Sequence, residues 1–124
     1  MGRYTILIAV DKAEGPPAYR MSFREEDFHL VFADNGPAIL NFLHGIVFDV
    51  LIIDLGVSDA GVCETIQSVR MEYSRLPVIA VSRRPEGLKG CLKERGDDSR
   101  NTHILPESMP MIRKRVDDII KMEI

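Results

Sequence analysis

Short apolar runs, each closed by a polar or turn-forming residue, alternate along the chain with segments whose apolar residues recur every three or four positions. Residues 4–10 (YTILIAV) form a β-branched run ending at Asp11-Lys12, the pattern of a buried strand. Gly15-Pro16-Pro17 then opens a helix, with Pro17 in its first turn and Tyr19 and Phe23 stacked four residues apart. Arg20, Arg24, Glu25 and Glu26 fall on its wet face. Residues 28–33 (FHLVFA) read as a second strand. Asn35-Gly36-Pro37 breaks it and starts a helix with an inward stripe of Ile39, Leu40, Phe42 and Leu43, and Gly45 is its expected left-handed stop. Residues 47–53 are apolar on both faces apart from Asp49 near the start, as in a central parallel strand, and the run ends on Asp54. Val62, Ile66, Val69 and Tyr73 mark the face of the next helix. Residues 76–82 form a fourth strand closing on Ser82. Leu88, Cys91 and Leu92 keep helical spacing over 85–96, but Gly87 and Gly90 each cost about 1 kcal/mol against alanine, so a short or mobile helix is expected. A polar loop over 96–101 leads to a brief fifth strand, 102–105, ended by Pro106. A helix from near Pro110 then buries Ile112, Val116, Ile119 and Ile120.

Strands alternating with helices through short loops predict an α/β fold: a doubly wound, five-stranded parallel sheet with helices on both faces, a three-layer α/β/α arrangement. Right-handed crossovers favour the flavodoxin-like strand order 2-1-3-4-5. Ligand chemistry in such sheets collects at the carboxyl ends of the strands, where the order reverses. Asp11, Lys12 and Asp54 should therefore meet in one crevice, with Ser82 and Leu105 arriving from the neighbouring strands.

Composition narrows this picture without redirecting it. At 124 residues the chain is expected to be a single domain, 1–124, with a core that needs no staples. Its 45% hydrophobic and 28% charged residues and net charge of −3 fit a soluble globular protein and argue against a basic nucleic-acid surface. Cys63 and Cys91 form no CxxC and have no histidine pair nearby, so both are expected to be reduced, as in a cytoplasmic protein. No apolar stretch is long enough to span a membrane, and the N-terminus lacks a signal-peptide pattern. His29, His44 and His103 are scattered over separate elements, and Ser82 has no visible relay, which leaves a hydrolytic site without support. Neither GxGxxG nor GxxxxGK[ST] occurs, so the usual phosphate cradles of nucleotide binders are missing.

The runs Ile6-Leu7-Ile8-Ala9-Val10-Asp11 and Asp49-Val50-Leu51-Ile52-Ile53-Asp54, with Gly61 downstream, precede Leu76-Pro77-Val78-Ile79-Ala80-Val81-Ser82 and a late strand ending at Pro106. In that order and spacing the chain resembles the response-regulator receiver domain of two-component phosphorelay signalling, over nearly its whole length. The resemblance implies a non-enzymatic phosphoprotein with Asp54 as phosphoacceptor, Asp11, Asp54 and the Gly56 backbone carbonyl as Mg²⁺ ligands, and Ser82 as the hydroxyl contacting the phosphoryl group. It also implies a sensor histidine kinase or phosphotransfer protein as partner and a homodimer through the last helix and strand. Nucleic acid and membrane are not expected partners.

Three positions depart from the family pattern. Lys12 stands in place of the second metal-binding acid, Leu105 in place of the lysine before Pro106, and Arg83 in place of a small residue beside the pocket. Thr102 stands at the aligned place of the aromatic switch residue. The family's excess of carboxylates recruits Mg²⁺, whereas Lys12 and an inward Arg83 would bring this pocket towards neutrality. Mg²⁺ binding is therefore expected to be weak or absent. Lys12 either pairs with Asp54 or extends to solvent. Arg83 and Arg84 form either an anion site or two solvated loop residues. Two functions remain open: a receiver with impaired Mg²⁺-dependent phosphotransfer, and a phosphorylation-independent pseudo-receiver acting through docking or dimerisation. Mixed charges on the last helix (Lys114, Arg115, Asp117, Asp118 and Lys121) suit a solvated face and leave dimerisation to be tested.

Overall fold

The computed structural model describes residues 3–11, 15–56, 58–96 and 101–122. Its elements run β1 (Tyr4–Val10), α1 (Gly15–Ser22), β2 (Phe28–Ala33), α2 (Gly36–Gly45), β3 (Val50–Asp54), α3 (Asp59–Glu72), β4 (Val78–Val81), α4 (Pro85–Glu94), β5 (Thr102–Leu105) and α5 (Met109–Met122). All strand pairs are parallel, in the order β2-β1-β3-β4-β5 that the alternating pattern predicts.

Side chains of a strand alternate between faces, and both faces of this sheet are covered. Ile6, Ile8, Val10, Val50, Ile52, Ile79, Val81 and Leu105 face the layer of α1 and α5, where Tyr19, Phe23, Ile112 and Val116 close the core. Leu7, Ala9, Leu51, Ile53, Leu55, Val78 and Ala80 face the opposite layer, with Ile39, Val62, Ile66, Leu88 and Leu92 from α2, α3 and α4. This alternation aims each residue at a strand's end towards one layer or the other.

Several boundaries differ from those the sequence predicts. Gly45 is the last helical residue of α2 and not a left-handed stop. The chain leaves through extended Ile46 (φ −135°), whose N–H reaches the Phe42 carbonyl at 2.9 Å, so no reversal is needed there. Gly56 (φ 68°) and Gly96 (φ 80°) hold the left-handed turns among the described residues. The third strand begins at Val50 and not at Val47, which is 91% exposed. Asp49 precedes it and docks on β1, its N–H bonding the Thr5 carbonyl and its Oδ2 accepting from the Thr5 N–H, both at 2.8 Å. That carboxylate completes the ladder, which explains an acid at the start of a buried strand. The fourth strand is confined to Val78–Val81: Pro77 has no N–H to donate, although its carbonyl accepts from the Leu51 N–H at 3.0 Å.

The weakly patterned region does form a helix, α4, with Leu88 and Leu92 buried. Cys63 and Cys91 are both free thiols, and burial, then the neighbouring Cys91, push the Cys63 thiol up to about 12. On α5, Lys114 reaches Asp118 one turn away, as expected of a solvated charged face, whereas Arg115 is half-buried, with Nη1 2.9 Å from His103 Nδ1. No helix among the described residues is long and apolar enough to cross a membrane.

Candidate functional site

Asp54 closes β3 in register with Val10 at the end of β1, the position where the sheet order reverses. It shares the parity of Val50 and Ile52, so its side chain belongs to the α1–α5 side. There Tyr19 of α1, only 1% exposed, donates its hydroxyl to Asp54 Oδ2 at 2.8 Å. Gly15-Pro16-Pro17 starts α1, and Tyr19 lies on its buried face with Phe23 stacked behind it, ring centroids 6.2 Å apart. Burial, then the charge of Asp54 beside it, drives the Tyr19 phenol far above its ordinary range, so the hydroxyl stays a donor.

Burial raises the Asp54 carboxyl above its ordinary value. The Tyr19 hydrogen bond opposes that shift and the nearby charge of Glu107 adds to it. A carboxyl whose folded pKa is raised holds its proton more tightly in the native than in the unfolded state. The ionised form therefore opposes folding above the folded pKa, and that cost disappears as pH falls through it. Asp54→Asn is accordingly expected to raise the thermal midpoint at pH 7, with the gain shrinking on acidification. Scanning calorimetry across pH checks the sign, and a destabilised variant at pH 7 would contradict it.

Asp54 opens on a cleft of about 450 Å³ that Asp59, Ser82, Arg83, Arg84 and Glu107 also line. Ser82 follows Val81, so parity turns it to the opposite side of the sheet from Asp54. Its hydroxyl donates to Asp59 Oδ1 at 3.3 Å and accepts from the Arg84 N–H at 3.0 Å. Asp59 opens α3 under the Ser58 cap, and its other oxygen lies against α4: a Cβ on Gly87 would stand 2.9 Å from Asp59 Oδ2. Ser82 thus ties the start of α3 to the loop before α4 and makes no hydrogen bond to Asp54.

The remaining sequence candidates fall in different places. Leu105 was expected at the crevice but is 3% exposed in the α1–α5 core and does not line the cleft. Its strand parity points it inward, and an isobutyl group gains nothing at a polar rim. Arg83 does not turn towards Asp54. Its Nε meets Glu107 Oε1 at 3.2 Å with the arginine side chain 86% exposed, a contact too solvated to contribute much. Arg84 is exposed at the same rim. Asp11 is exposed, with Oδ2 3.9 Å from where a Gly56 Cβ would stand. Lys12, whether paired or solvated, lies outside the described residues. Among the described residues no lysine or arginine pairs with Asp54, and no group of three or more His, Cys, Asp or Glu side chains is arranged to hold a metal. At the far end of β5 the aligned switch position, Thr102, is buried and its Oγ1 accepts from Arg70 Nη2 at 2.9 Å.

Tyr19, Asp59 and Glu107 are the participants that sequence reasoning missed. Tyr19 read as half of an apolar helical pair, and Asp59 and Glu107 drew no reading of their own. Strand parity was the available signal, since it separates Asp54 from Ser82 once the handedness of the crossovers assigns helices to faces.

No family model matches the chain, and no curated protein matches it. Solved structures do. The receiver domain of the Francisella response regulator 1452 superposes with a TM-score of 0.78 at 21% identity, covering 98% of this chain and all of that one. Response regulator protein TrrA from Thermotoga maritima, in complex with Mg²⁺-BeF, matches with a TM-score of 0.75 at 15% identity, covering 94% and 98% of the two chains. The receiver domain of a sensor histidine kinase from Pseudomonas aeruginosa, with a magnesium ion in its active-site cleft, matches with a TM-score of 0.71 at 12% identity, covering 97% and 99%. The chain has the fold of a response-regulator receiver domain, with strand order 2-1-3-4-5.

Proposed function

We propose that this chain is a receiver module of two-component signalling, in which Asp54 accepts a phosphoryl group from the phosphohistidine of a sensor kinase or phosphotransfer protein. The observation that carries the reading is the placement of Asp54. It is a partly exposed carboxylate at the end of the central strand, opening on a cleft at the reversal of strand order. A carboxylate oxygen would attack phosphorus in line, forming a P–O bond as the P–N bond of the phosphohistidine breaks and its electron pair returns to the imidazole. Arg84, and Arg83 shared with Glu107, are the cations an incoming phosphoryl group would meet at the rim.

Mg²⁺ is the ion this fold implies. Asp11, Asp54 and the Gly56 carbonyl are the donors available. They amount to two carboxylates, one of whose oxygens Tyr19 already holds. Mg²⁺ demands near-octahedral oxygen ligation and gives up water reluctantly, so this set does not make a tight site. The transfer is therefore slow beside that of a receiver with a full acidic pocket. A homodimer through β5 and α5 and a cytoplasmic setting belong to the same reading.

A second reading is favoured by how completely the pocket satisfies itself. With Asp54 held by Tyr19, Ser82 by Asp59 and Leu105 in the core, the fold could serve as a phosphorylation-independent docking module. Incubation with a small phosphodonor such as acetyl phosphate, with and without Mg²⁺, separates the two. Intact-mass spectrometry is expected to show slow gain of one phosphoryl group, abolished in Asp54→Asn. No gain in the parent protein, or gain on another residue, would favour the docking module.

A further inference from the structure

We infer that Tyr19 is a positioning residue that holds Oδ2 of Asp54 from the core side, leaves Oδ1 as the attacking oxygen and slows phosphorylation of the carboxylate. The inference rests on Asp54 being the acceptor. The Tyr19 ring is buried, stacked on Phe23, and shares the α1–α5 core with Leu105. Its hydroxyl donates to Oδ2 at 2.8 Å, and among the described residues no cationic side chain competes for that oxygen.

A neutral donor at this point has a definite kinetic consequence. A hydrogen bond to an ionised carboxylate is about twice as strong as one between neutral groups. As Oδ1 forms its bond to phosphorus and the donor's leaving group departs with the electron pair, Asp54 loses its negative charge and Oδ2 becomes an acyl carbonyl oxygen. The Tyr19 bond therefore weakens along the reaction. An interaction stronger in the ground state than in the transition state raises the barrier.

Tyr19→Phe keeps the ring and its stack and removes one oxygen. With acetyl phosphate as donor and Mg²⁺ present throughout, the variant is expected to be phosphorylated about tenfold faster at saturating donor, or about 1.4 kcal/mol, with an unchanged half-saturating donor concentration. Isotope-edited infrared spectra of protein labelled with ¹³C-aspartate should show one carboxylate band shifted in the variant before any donor is added. Equal or slower phosphorylation of a folded variant overturns the positioning role, and an unshifted band overturns the contact itself. No phosphorylation of either protein overturns the acceptor reading of Asp54 and the inference with it, an outcome distinct from two proteins that react at equal rates.

Discussion

Replacing Phe23 with alanine is expected to lower the unfolding free energy by about 3–5 kcal/mol, the usual cost of emptying a buried aromatic site. Phe23 is fully buried, just past the end of α1, with Tyr19 stacked on it and the Phe28 ring meeting it edge-on at 5.1 Å. The Arg113 guanidinium of α5 lies 5.1 Å from its ring and 4.6 Å from that of Phe28, and donates to the Ser22 carbonyl at 3.0 Å. One ring therefore joins the end of α1, the start of β2 and the inner face of α5. Against a typical total of about 5–15 kcal/mol, its loss brings the domain close to unfolding. Urea titration would read it as a shift in midpoint at unchanged slope. Phe23→Leu, which refills most of the space, should recover more than half of the loss. A Phe23→Ala cost below about 1 kcal/mol would mean that the cluster collapses over the gap and that the ring does not hold the three elements together. Because Tyr19 leans on Phe23, the alanine variant should also shift the Asp54 carboxylate band, coupling core packing to the candidate site.

Arg70→Met is the second large effect, expected at about 2–4 kcal/mol. Near the end of α3, the Arg70 guanidinium donates to the Tyr73 carbonyl at 3.2 Å, to the Leu76 carbonyl, and to Thr102 Oγ1 at 2.9 Å. It thereby pins the loop into β4 and the first residue of β5 to α3. Methionine preserves much of the apolar stem but takes the donor from the Leu76 carbonyl and Thr102 Oγ1, while the Tyr73 carbonyl keeps the Leu76 N–H at 3.4 Å; a polar group left unpaired away from water costs its desolvation. Thr102 is only 9% exposed, so water offers its hydroxyl little compensation. Adding Thr102→Val removes one stranded acceptor, and the double variant should lose less than the sum of the two single ones. Strict additivity in equilibrium unfolding would show that the Arg70–Thr102 contact carries no coupling.

Arg70 also illustrates what hydrophobic periodicity does not reveal. In α3 it sits beside Val69 and reads as one more solvated charge, yet its partners lie on a later loop and strand. The same holds at the candidate site. Asp54 at the end of the third apolar run was legible, because a run of that length closing on an acid marks the carboxyl end of a buried strand. Its partner was not. Tyr19 and Phe23, four residues apart on a helix, present an apolar face whichever element they cover, and nothing local says that the Tyr19 hydroxyl reaches a β3 carboxylate. The expected meeting of Leu105 with the crevice failed for a related reason. Alignment to a pattern places a residue along the strand, whereas its environment decides whether the side chain serves the rim or the core.

The sequence by itself determined the element order, the parallel five-stranded sheet, the strand order and the address of Asp54. Each follows from local information: run length, helical period, turn residues and the handedness of crossovers. Only the tertiary structure decided which neighbour each site residue meets. In a sheet covered on both sides the central strands carry apolar residues on both faces, so the pattern does not say which face a given position serves. Helix packing assigns those faces, sending Asp54 to Tyr19 and Ser82 to Asp59. The carboxylate at the end of β3 was thus marked from the start, but the phenol hydrogen-bonded to it belongs to the assembled core.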